Sequence, residues 1–323
     1  MPKLLSLIIF LLVSNLGFSQ DQRIYYINDK GIPVKNLDSA EFIRILSSTD
    51  KGTNFYNLLD QYKSGNKKAE GTVSNLVPLI YQGQLVTYYE NGKKKSVQNF
   101  KNNLITGSES DFYPNGKIYV QKVYPDEGVF NSELNTNFTI KACYDSLGNA
   151  LVNDGNGYYK EYDGQFKYVI QEGKIKNGKQ DSVWKGYYIS KKITFIENYK
   201  NGVLISGVGT NEKGISMNYS KSRSSGSQYK GGSNAFNNYV NTNLNYPTGA
   251  LQNNIEGKVY ITFTVEEDGK LSNVRVLKSS NSMLDAEAVR LLKSSSNWKP
   301  LCLFGHNIKS SYTVPIVFKL PEN

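Results

Sequence analysis

The chain has 323 residues, with 38 Lys and Arg against 28 Asp and Glu and a formal net charge of +10. This length is enough for two or three domains. The basic residues are scattered, and the longest run is Lys93–Lys95. Because a nucleic-acid-binding protein concentrates its positive charge on one face or helix, the composition argues against a nucleic-acid partner.

Residues 1–20 contain one Lys followed by an apolar run from Leu4 to Phe18, with the small residues Gly17 and Ser19 near its end. This pattern predicts a secretory signal peptide over 1–19 and export from the cytoplasm. The run is shorter than the roughly 20 residues that a bilayer-spanning helix needs. The alternative is a retained N-terminal membrane anchor.

Residues 20–60 are predicted to form an N-terminal cap segment for the region that follows, because a repeat array needs a terminal unit. Ile24–Ile27 has the composition of a strand, and Asn28–Gly31 that of a turn. Ser39–Leu46 begins with a residue that caps helices well, which indicates a short helix.

Residues 61–216 are internally repetitive. The frame Tyr-x-x-Gly occurs at Tyr62, Tyr89 and Tyr113, and a second element is shared by Phe100–Gly107 and Tyr199–Gly207. Asn-Gly pairs supply the positive φ of tight primed hairpin turns, and aromatic and β-branched residues fill the short strands between them. The pattern predicts an elongated antiparallel sheet of β-hairpin repeats. The tyrosines recur at the repeat period, so we interpret them as packing residues of the sheet face.

Residues 217–233 are rich in Ser, Gly, Lys and Asn, a composition that predicts a flexible linker between two domains. The last domain then covers 234–323. Ala235–Leu244 has apolar residues at helical spacing, and the helix is expected to end before Pro247, which can begin a second short helix. Val259–Val265 alternates with a period of two, as in a strand with one buried face.

The second half of this domain is predicted to contain a hairpin turn at Gly269, a helix over Leu284–Leu292 and a last strand over Tyr312–Lys319. Pro315 lies inside that strand. Since proline cannot donate to a sheet ladder, the last strand should lie at the edge of its sheet. The order helix–strand–strand–helix–strand predicts an α+β domain, a three-stranded antiparallel sheet covered by helices on one face.

Six short segments of this domain resemble, in order, the C-terminal domain of the TonB energy transducer family over 229–320. They are Tyr246-Pro247, Glu256–Val259, Asp268-Gly269, Leu284–Ala288, Trp298–Pro300 and Pro315–Leu320. The resemblance implies a periplasmic domain that binds a short peptide of an outer-membrane TonB-dependent receptor by β-augmentation. An inner-membrane anchor facing the periplasm is the alternative location.

The resemblance also implies which residues bind the partner. They belong to one segment before the first strand and to the last strand: Asn245, Tyr246, Pro247, Ser311, Tyr312, Thr313, Val314, Pro315, Ile316, Val317 and Phe318. An inner-membrane proton-motive-force complex is expected as a partner only if the N-terminus is retained. A homodimer formed through the exposed strand edge is an open alternative.

The repeats over about 60–215 resemble MORN-type repeats of the variant found in exported or antitoxin-like bacterial proteins. This resemblance supports an alternative function, that of a cell-envelope scaffold in which the repeat sheet is the binding surface.

The residues that carry chemistry are few. His306 is the single histidine, and we expect it to be a solvated loop residue. Cys143 and Cys302 are far apart in the sequence and are expected to be buried thiols, with an inter-domain disulfide as the alternative. One histidine and two distant cysteines do not supply an ordinary metal site. The sequence therefore predicts a protein that is not an enzyme and needs no metal or cofactor.

Overall fold

The computed structural model describes residues 22–49, 54–130 and 137–320. The predicted signal peptide lies outside these residues. The chain divides into two compact units, one of Met1–Asn131 with Tyr144–Asn149 and one of Ser132–Cys143 with Ala150–Asn323. In the described ranges, no helix combines the length and apolar character needed to span a bilayer.

The first unit consists of antiparallel strands, each hydrogen-bonded to the next from β3 to β9, while β1 pairs with β2 and β3. The strands are β1 (Gln22–Ile27), β2 (Pro33–Val34), β3 (Phe42–Ser48), β4 (Tyr56–Tyr62), β5 (Lys67–Leu76), β6 (Leu79–Tyr88), β7 (Lys94–Lys101), β8 (Leu104–Phe112) and β9 (Ile118–Phe130). The predicted repeat sheet is thereby confirmed here.

The helix expected over Ser39–Leu46 is wrong, because most of this segment lies in strand β3. β3 pairs with β1 on one side and β4 on the other, so it gains two ladders that an isolated helical turn could not offer. Arg44 also forms a bidentate ion pair with Asp60 on β4, with Nη2 2.7 Å from Oδ2. Tertiary pairing therefore overrides the local helix signal.

The second unit begins with the same architecture, and β11 to β17 pair successively and antiparallel. Its strands up to that point are β10 (Thr139–Tyr144), β11 (Ala150–Asn153), β12 (Asn156–Tyr162), β13 (Val169–Lys176), β14 (Lys179–Tyr188), β15 (Ile193–Lys200), β16 (Val203–Thr210) and β17 (Ser216–Tyr219), with a 3₁₀ turn at Ile189–Lys191.

The Tyr-x-x-Gly turns differ from the expected primed type. Tyr89 N–H donates to the Lys93 carbonyl and Gly92 N–H donates to the Tyr89 carbonyl, so the loop holds three residues. Gly92 has φ of 80°, whereas Asn91 is not left-handed. This is a type I turn followed by a left-handed glycine. A primed turn at Asn91-Gly92 was therefore a wrong expectation, because only the third loop residue needs positive φ.

The second repeat element, together with the loosely similar segment Gly173–Lys179, does form primed turns. Asn177 and Gly178 have φ of 52° and 75°, and Asn201 and Gly202 have φ of 53° and 80°. Each pair is a two-residue loop, as the pairing of Lys176 with Lys179 shows for the first of them. The two repeated sequence elements thus correspond to two different turn types.

The repeated tyrosines join successive turns of the first unit. Tyr62 Oη donates to the Tyr88 carbonyl at 2.8 Å, and Tyr89 Oη donates to the Phe112 carbonyl at 2.6 Å. Tyr113 Oη donates to the Tyr144 carbonyl at 2.9 Å. Each hydroxyl therefore ties its own turn to the next turn in the sequence, which is a structural role repeated at the repeat period.

The C-terminal part of the second unit is an α+β domain, as predicted. Its elements are α1 (Gly232–Asn243), α2 (Thr248–Gln252), β20 (Gly257–Val265), β21 (Leu271–Ser279), a 3₁₀ turn at Ser282–Leu284, α3 (Asp285–Ser294), β22 (Trp298–Lys299), β23 (Leu301–Leu303), β24 (His306–Ile308) and β25 (Ser310–Phe318); two short strands precede it, β18 (Ser224–Ser225) and β19 (Gln228–Tyr229).

The core of this domain lies between the helices and one face of a three-stranded sheet of order β21–β20–β25. Alternate residues of β20 point into it, including Ile261 and Phe263, and they pack with Phe236 of α1 and Leu291 of α3. Trp298 belongs to this core, with its ring centroid 4.8 Å from that of Phe263. The helix-covered sheet expected from the sequence is therefore present.

The segment 217–233, for which composition predicts a flexible linker, contains β18, β19 and most of β17. Tyr229 is buried against Phe236 and Trp298 in the core of the C-terminal domain. Arg223 is also buried. The small polar residues around these two side chains dominate the composition and conceal their packing.

Candidate functional site

The last strand, β25, is one of the two edges of the three-stranded sheet. It pairs with β20 over its whole length, from Ser310 opposite Val265 to Phe318 opposite Gly257, with no shift of register. In the described part of the chain no strand pairs with its other side. Pro315 therefore predicted the position of this strand correctly.

The direction of the β25 backbone groups follows from its neighbour. Lys258 N–H donates to Ser280 Oγ at 3.0 Å, and the Lys258 carbonyl accepts from Ser280 N–H at 3.2 Å. Both backbone groups of Lys258 thus point to the β21 side, away from β25. Since Lys258 lies opposite Val317, the backbone groups of Val317 point outward from the sheet.

Alternation extends this result along the strand. Residues two apart in a strand direct their backbone groups the same way, so the backbone groups of Ser311, Thr313 and Pro315 also point outward from the sheet. The outer edge of β25 therefore presents the carbonyls of all four residues and the N–H groups of Ser311, Thr313 and Val317. Pro315 lacks only an outward donor, which explains how a proline fits the middle of a nine-residue strand without breaking the ladder to β20.

The side chains of β25 divide between the two faces of the sheet. Ile316 and Phe318 belong to the core cluster and are each 1% exposed, and Tyr312 and Val314 pack against it. The residues between them are exposed, and Val317 retains 38% of its surface. A strand added at this edge would meet Thr313, Pro315 and Val317 on the open face.

The opposite edge, β21, is much less regular. Its pairing with β20 shifts register twice, and Asn273 has φ of 53°. Bulges of this kind twist an edge and interrupt its row of donors and acceptors. Of the two edges, β25 is therefore the better template for another strand.

The segment Asn245–Pro247 lies at the Phe318 end of β25. The Tyr246 ring contacts the Phe318 ring edge-on, with centroids 5.7 Å apart, and Tyr246 Oη donates to the Ile255 carbonyl at 2.6 Å. Pro247 follows directly and caps α2. The structure thus brings the two predicted groups of partner-binding residues together.

Asn245 is held by a carboxylate of α3. Its N–H donates to Glu287 Oε1 at 2.6 Å, while Arg290 Nε donates to Glu287 Oε2 at 2.6 Å. Burial opposes ionisation, but the hydrogen bonds from Arg290 and Asn245 outweigh it and lower the pKa of Glu287. The segment next to β25 is therefore fixed by an ionised carboxylate at neutral pH.

A second feature, which sequence analysis did not predict, is the hairpin of residues 301–308 that directly precedes β25. We call it the Phe304 hairpin. Phe304 at its tip is fully buried and stacks on Phe195 of the repeat strand β15, with centroids 4.9 Å apart. Tyr188 and Tyr219 also contact it, at 5.3 and 5.8 Å. The domain that carries β25 is thereby packed onto strands β14 to β17.

His306 belongs to this hairpin, and the expectation that it is a solvated loop residue is wrong. It is 8% exposed, and Nε2 lies 2.9 Å from the Gly209 carbonyl of β16. Because a carbonyl only accepts, Nε2 carries the proton. A Cβ at position 209 would lie 2.3 Å from the Phe304 carbonyl oxygen, so this glycine allows the close approach. The sequence signal for this contact was an aromatic residue at a hairpin tip, Phe304, together with a glycine in the strand that it meets, Gly209.

Arg223 completes this packing. Its Nη2 lies 2.6 Å from Glu197 Oε2, and both side chains are buried. Its guanidinium lies 4.6 Å from the centroid of Phe195, and its backbone carbonyl accepts from Phe304 N–H at 2.7 Å. Tyr219 Oη donates a further bond to Glu197 at 2.7 Å. The buried charge pair is therefore well satisfied.

Residues 242–320 match the family described as Gram-negative bacterial TonB protein C-terminal. The resemblance predicted from the sequence is thus confirmed, and we call residues 234–320 the TonB-like domain. The match includes Tyr246 and all of β25.

Two solved structures are similar to part of the chain. An NMR structure of the Helicobacter pylori TonB C-terminal domain is 27% identical, covers 27% of this chain and 78% of that chain, and has a TM-score of 0.23. A second NMR structure of that domain is 26% identical, covers 28% of this chain and 94% of that chain, and has a TM-score of 0.24. No protein of curated function matches the chain.

Proposed function

We propose that the TonB-like domain binds an extended segment of another protein by adding it as a further strand at the outer edge of β25. The partner implied by the family is a peptide of an outer-membrane TonB-dependent receptor, met in the periplasm. The observation that carries the proposal is the outward row of backbone groups at Ser311, Thr313 and Val317, in a strand of regular register. Main-chain bonds of this kind give affinity in β-augmentation, and neighbouring side chains give specificity.

Two further observations support this function. The residues that would flank an added strand are already held in place, since Tyr246 packs on Phe318 and Asn245 is bonded to Glu287. A binding edge that is ordered in advance loses less conformational entropy when the partner binds. The role is that of a binding protein, in keeping with a family of transducers and not of enzymes.

The experiment is titration of the full chain with peptides from the N-terminal segments of outer-membrane receptors, followed by calorimetry. Thr313→Pro removes an outward donor without removing a bond to β20. We expect it to weaken binding by roughly 2- to 10-fold, the net value of one hydrogen bond. Thr313→Ala is the matched control, because it keeps the N–H and changes only the side chain. Equal binding by both variants and the wild type would refute binding at this edge.

A second candidate function is that of an envelope scaffold binding through the repeat sheet. It is favoured by the exposed aliphatic residues Ile196 and Val208, which lie opposite each other on β15 and β16 and are 58% and 39% exposed. They line a shallow groove of about 380 Å³ next to Lys185 and Glu172. Ile196→Lys with Val208→Glu tests this candidate: loss of partner capture with receptor-peptide binding intact would support it.

A further inference from the structure

We propose that Pro315 is a specificity-determining residue, which makes the outer edge of β25 favour a foreign strand over a second copy of this chain. The inference rests on the proposed function. It concerns the one position in the outward row that offers an acceptor and no donor.

The placement of Pro315 is fixed by two independent observations. It lies opposite Tyr260 in a register that runs without shifts. The bonds between Lys258 and Ser280 turn the backbone groups of β20 at this end toward β21, so the Tyr260–Pro315 pair exchanges no hydrogen bonds. Pro315 therefore removes nothing from the fold and acts only on a strand that arrives from outside.

The effect of Pro315 on an added strand is the number of backbone hydrogen bonds missing from the ladder between them. A proline-free visitor that covers the edge receives bonds from Ser311, Thr313 and Val317 and lacks one, at Pro315. When two copies of β25 pair around a twofold axis, each copy contributes its own proline, so the joint ladder lacks two bonds. This holds in every antiparallel register that covers both prolines. Edge proline is a known means of preventing unwanted strand pairing.

The difference has a measurable size. One net hydrogen bond corresponds to roughly a 2- to 10-fold change in an equilibrium constant. Restoring the missing donor should therefore tighten binding of a proline-free strand by this factor. It should raise the self-association constant by about the square of the factor, roughly 4- to 100-fold.

The experiment uses the full chain and its Pro315→Ala variant. Two end-blocked peptides serve as probes: the chain's own segment Ser310–Lys319 (SSYTVPIVFK) and the same peptide with Ala in place of Pro. Binding is measured by calorimetry, and self-association by sedimentation equilibrium. We expect each replacement of a proline, in chain or peptide, to tighten binding by a similar factor, and self-association of the variant to rise by its square.

A matched control separates the donor from the change of side chain. Cys302 allows residues 302–323 to be joined by chemical ligation, so N-methylalanine can be placed at position 315 of the full chain. This residue has the side chain of alanine and no N–H, and it should behave as the wild type does. If it behaves as Pro315→Ala does, or if Pro315→Ala changes neither constant, the inference is overturned.

The outcome also separates this inference from the proposed function. If the variant self-associates more strongly and receptor peptides bind neither protein, the role of Pro315 stands and the proposed partner is wrong. If receptor peptides bind the wild type and Pro315→Ala equally, and Thr313→Pro weakens that binding, the proposed partner stands and the role of Pro315 is refuted.

Discussion

The turns of the first unit and the Phe304 hairpin of the second unit stabilise the fold in opposite ways. Each turn is tied to the next by one hydroxyl bond, from Tyr62, Tyr89 or Tyr113, and the same bond recurs at the repeat period. The hairpin instead concentrates an aromatic stack and a buried ion pair around the single side chain of Phe304. Loss of one of several equal small contacts should therefore lower the free energy of unfolding only slightly, whereas loss of the one large contact should lower it substantially.

The largest expected effect is therefore at the hairpin. Phe304→Ala should destabilise the second unit by about 3–5 kcal/mol, because a fully buried aromatic ring leaves a cavity. Urea unfolding followed by tryptophan fluorescence measures it, since Trp184 and Trp298 both lie in this unit. Leu277→Ala, at a residue 61% exposed, is the control and should change stability by no more than about 0.5 kcal/mol. If Phe304→Ala and Leu277→Ala lowered the free energy of unfolding by similar amounts, Phe304 would not be a principal contact of the second unit.

A comparable effect is expected at the buried charge pair. Arg223→Ala leaves Glu197 fully buried without its cation, and such a loss costs about 3–5 kcal/mol. Lys192→Ala breaks the exposed pair with Glu212 and serves as the matched control, with no measurable change expected. If Arg223→Ala unfolded at the same urea concentration as the control, the hairpin would not depend on this ion pair.

An intermediate effect, visible only as a pH dependence, is expected in the first unit. Burial raises the pKa of Asp111 to about 7, although Lys122 opposes the shift and Glu109 adds to it. Because the folded-state pKa exceeds the unfolded-state value of 3.8, protonated Asp111 favours the folded state. This stability is complete below about pH 4 and is lost as the pH rises to about 7.

Asp111→Asn should remove that loss. Relative to the wild type, the variant should gain stability between pH 5 and pH 8, as measured by urea unfolding at unit pH intervals. Glu109 has a lowered pKa and contributes the opposite dependence, but only in the acid range below this window. Parallel pH profiles for the two proteins would show that Asp111 is ionised throughout.

The smallest effects are expected at the repeated turns. Replacing Tyr62, Tyr89 or Tyr113 by Phe removes one hydroxyl bond, which should cost about 1 kcal/mol each. The three costs should be similar, because each substitution removes the same kind of bond from an equivalent turn. Thermal unfolding measures them. If one of the three substitutions cost much more stability than the other two, the turns would not be equivalent.

The sequence predicted the features whose cause is local. Pro315 placed the last strand at an edge because of what proline cannot donate. The apolar periodicity of Val259–Val265 predicted β20, and the repeated Tyr-x-x-Gly frame predicted hairpins. The order of six short segments predicted the TonB resemblance.

The features that sequence analysis missed depend on contacts between distant residues. Ser39–Leu46 became a strand because β1 and β4 pair with it. His306 became buried because β16 presents a glycine at position 209. Arg223 lay in a polar segment whose composition indicated a linker, and only its pairing with Glu197 reveals its role. No local pattern contains that information.

Amide hydrogen exchange of β25, measured residue by residue by NMR, shows whether its outer edge is free to accept another strand. In the free chain, the N–H groups of Tyr312, Val314 and Ile316 should exchange slowly, and those of Ser311, Thr313 and Val317 should exchange fast. A saturating receptor peptide should slow the second set and leave the first unchanged. Protection of Ser311, Thr313 and Val317 before any peptide is added would show that the chain itself occupies the edge, and would rule out strand addition there.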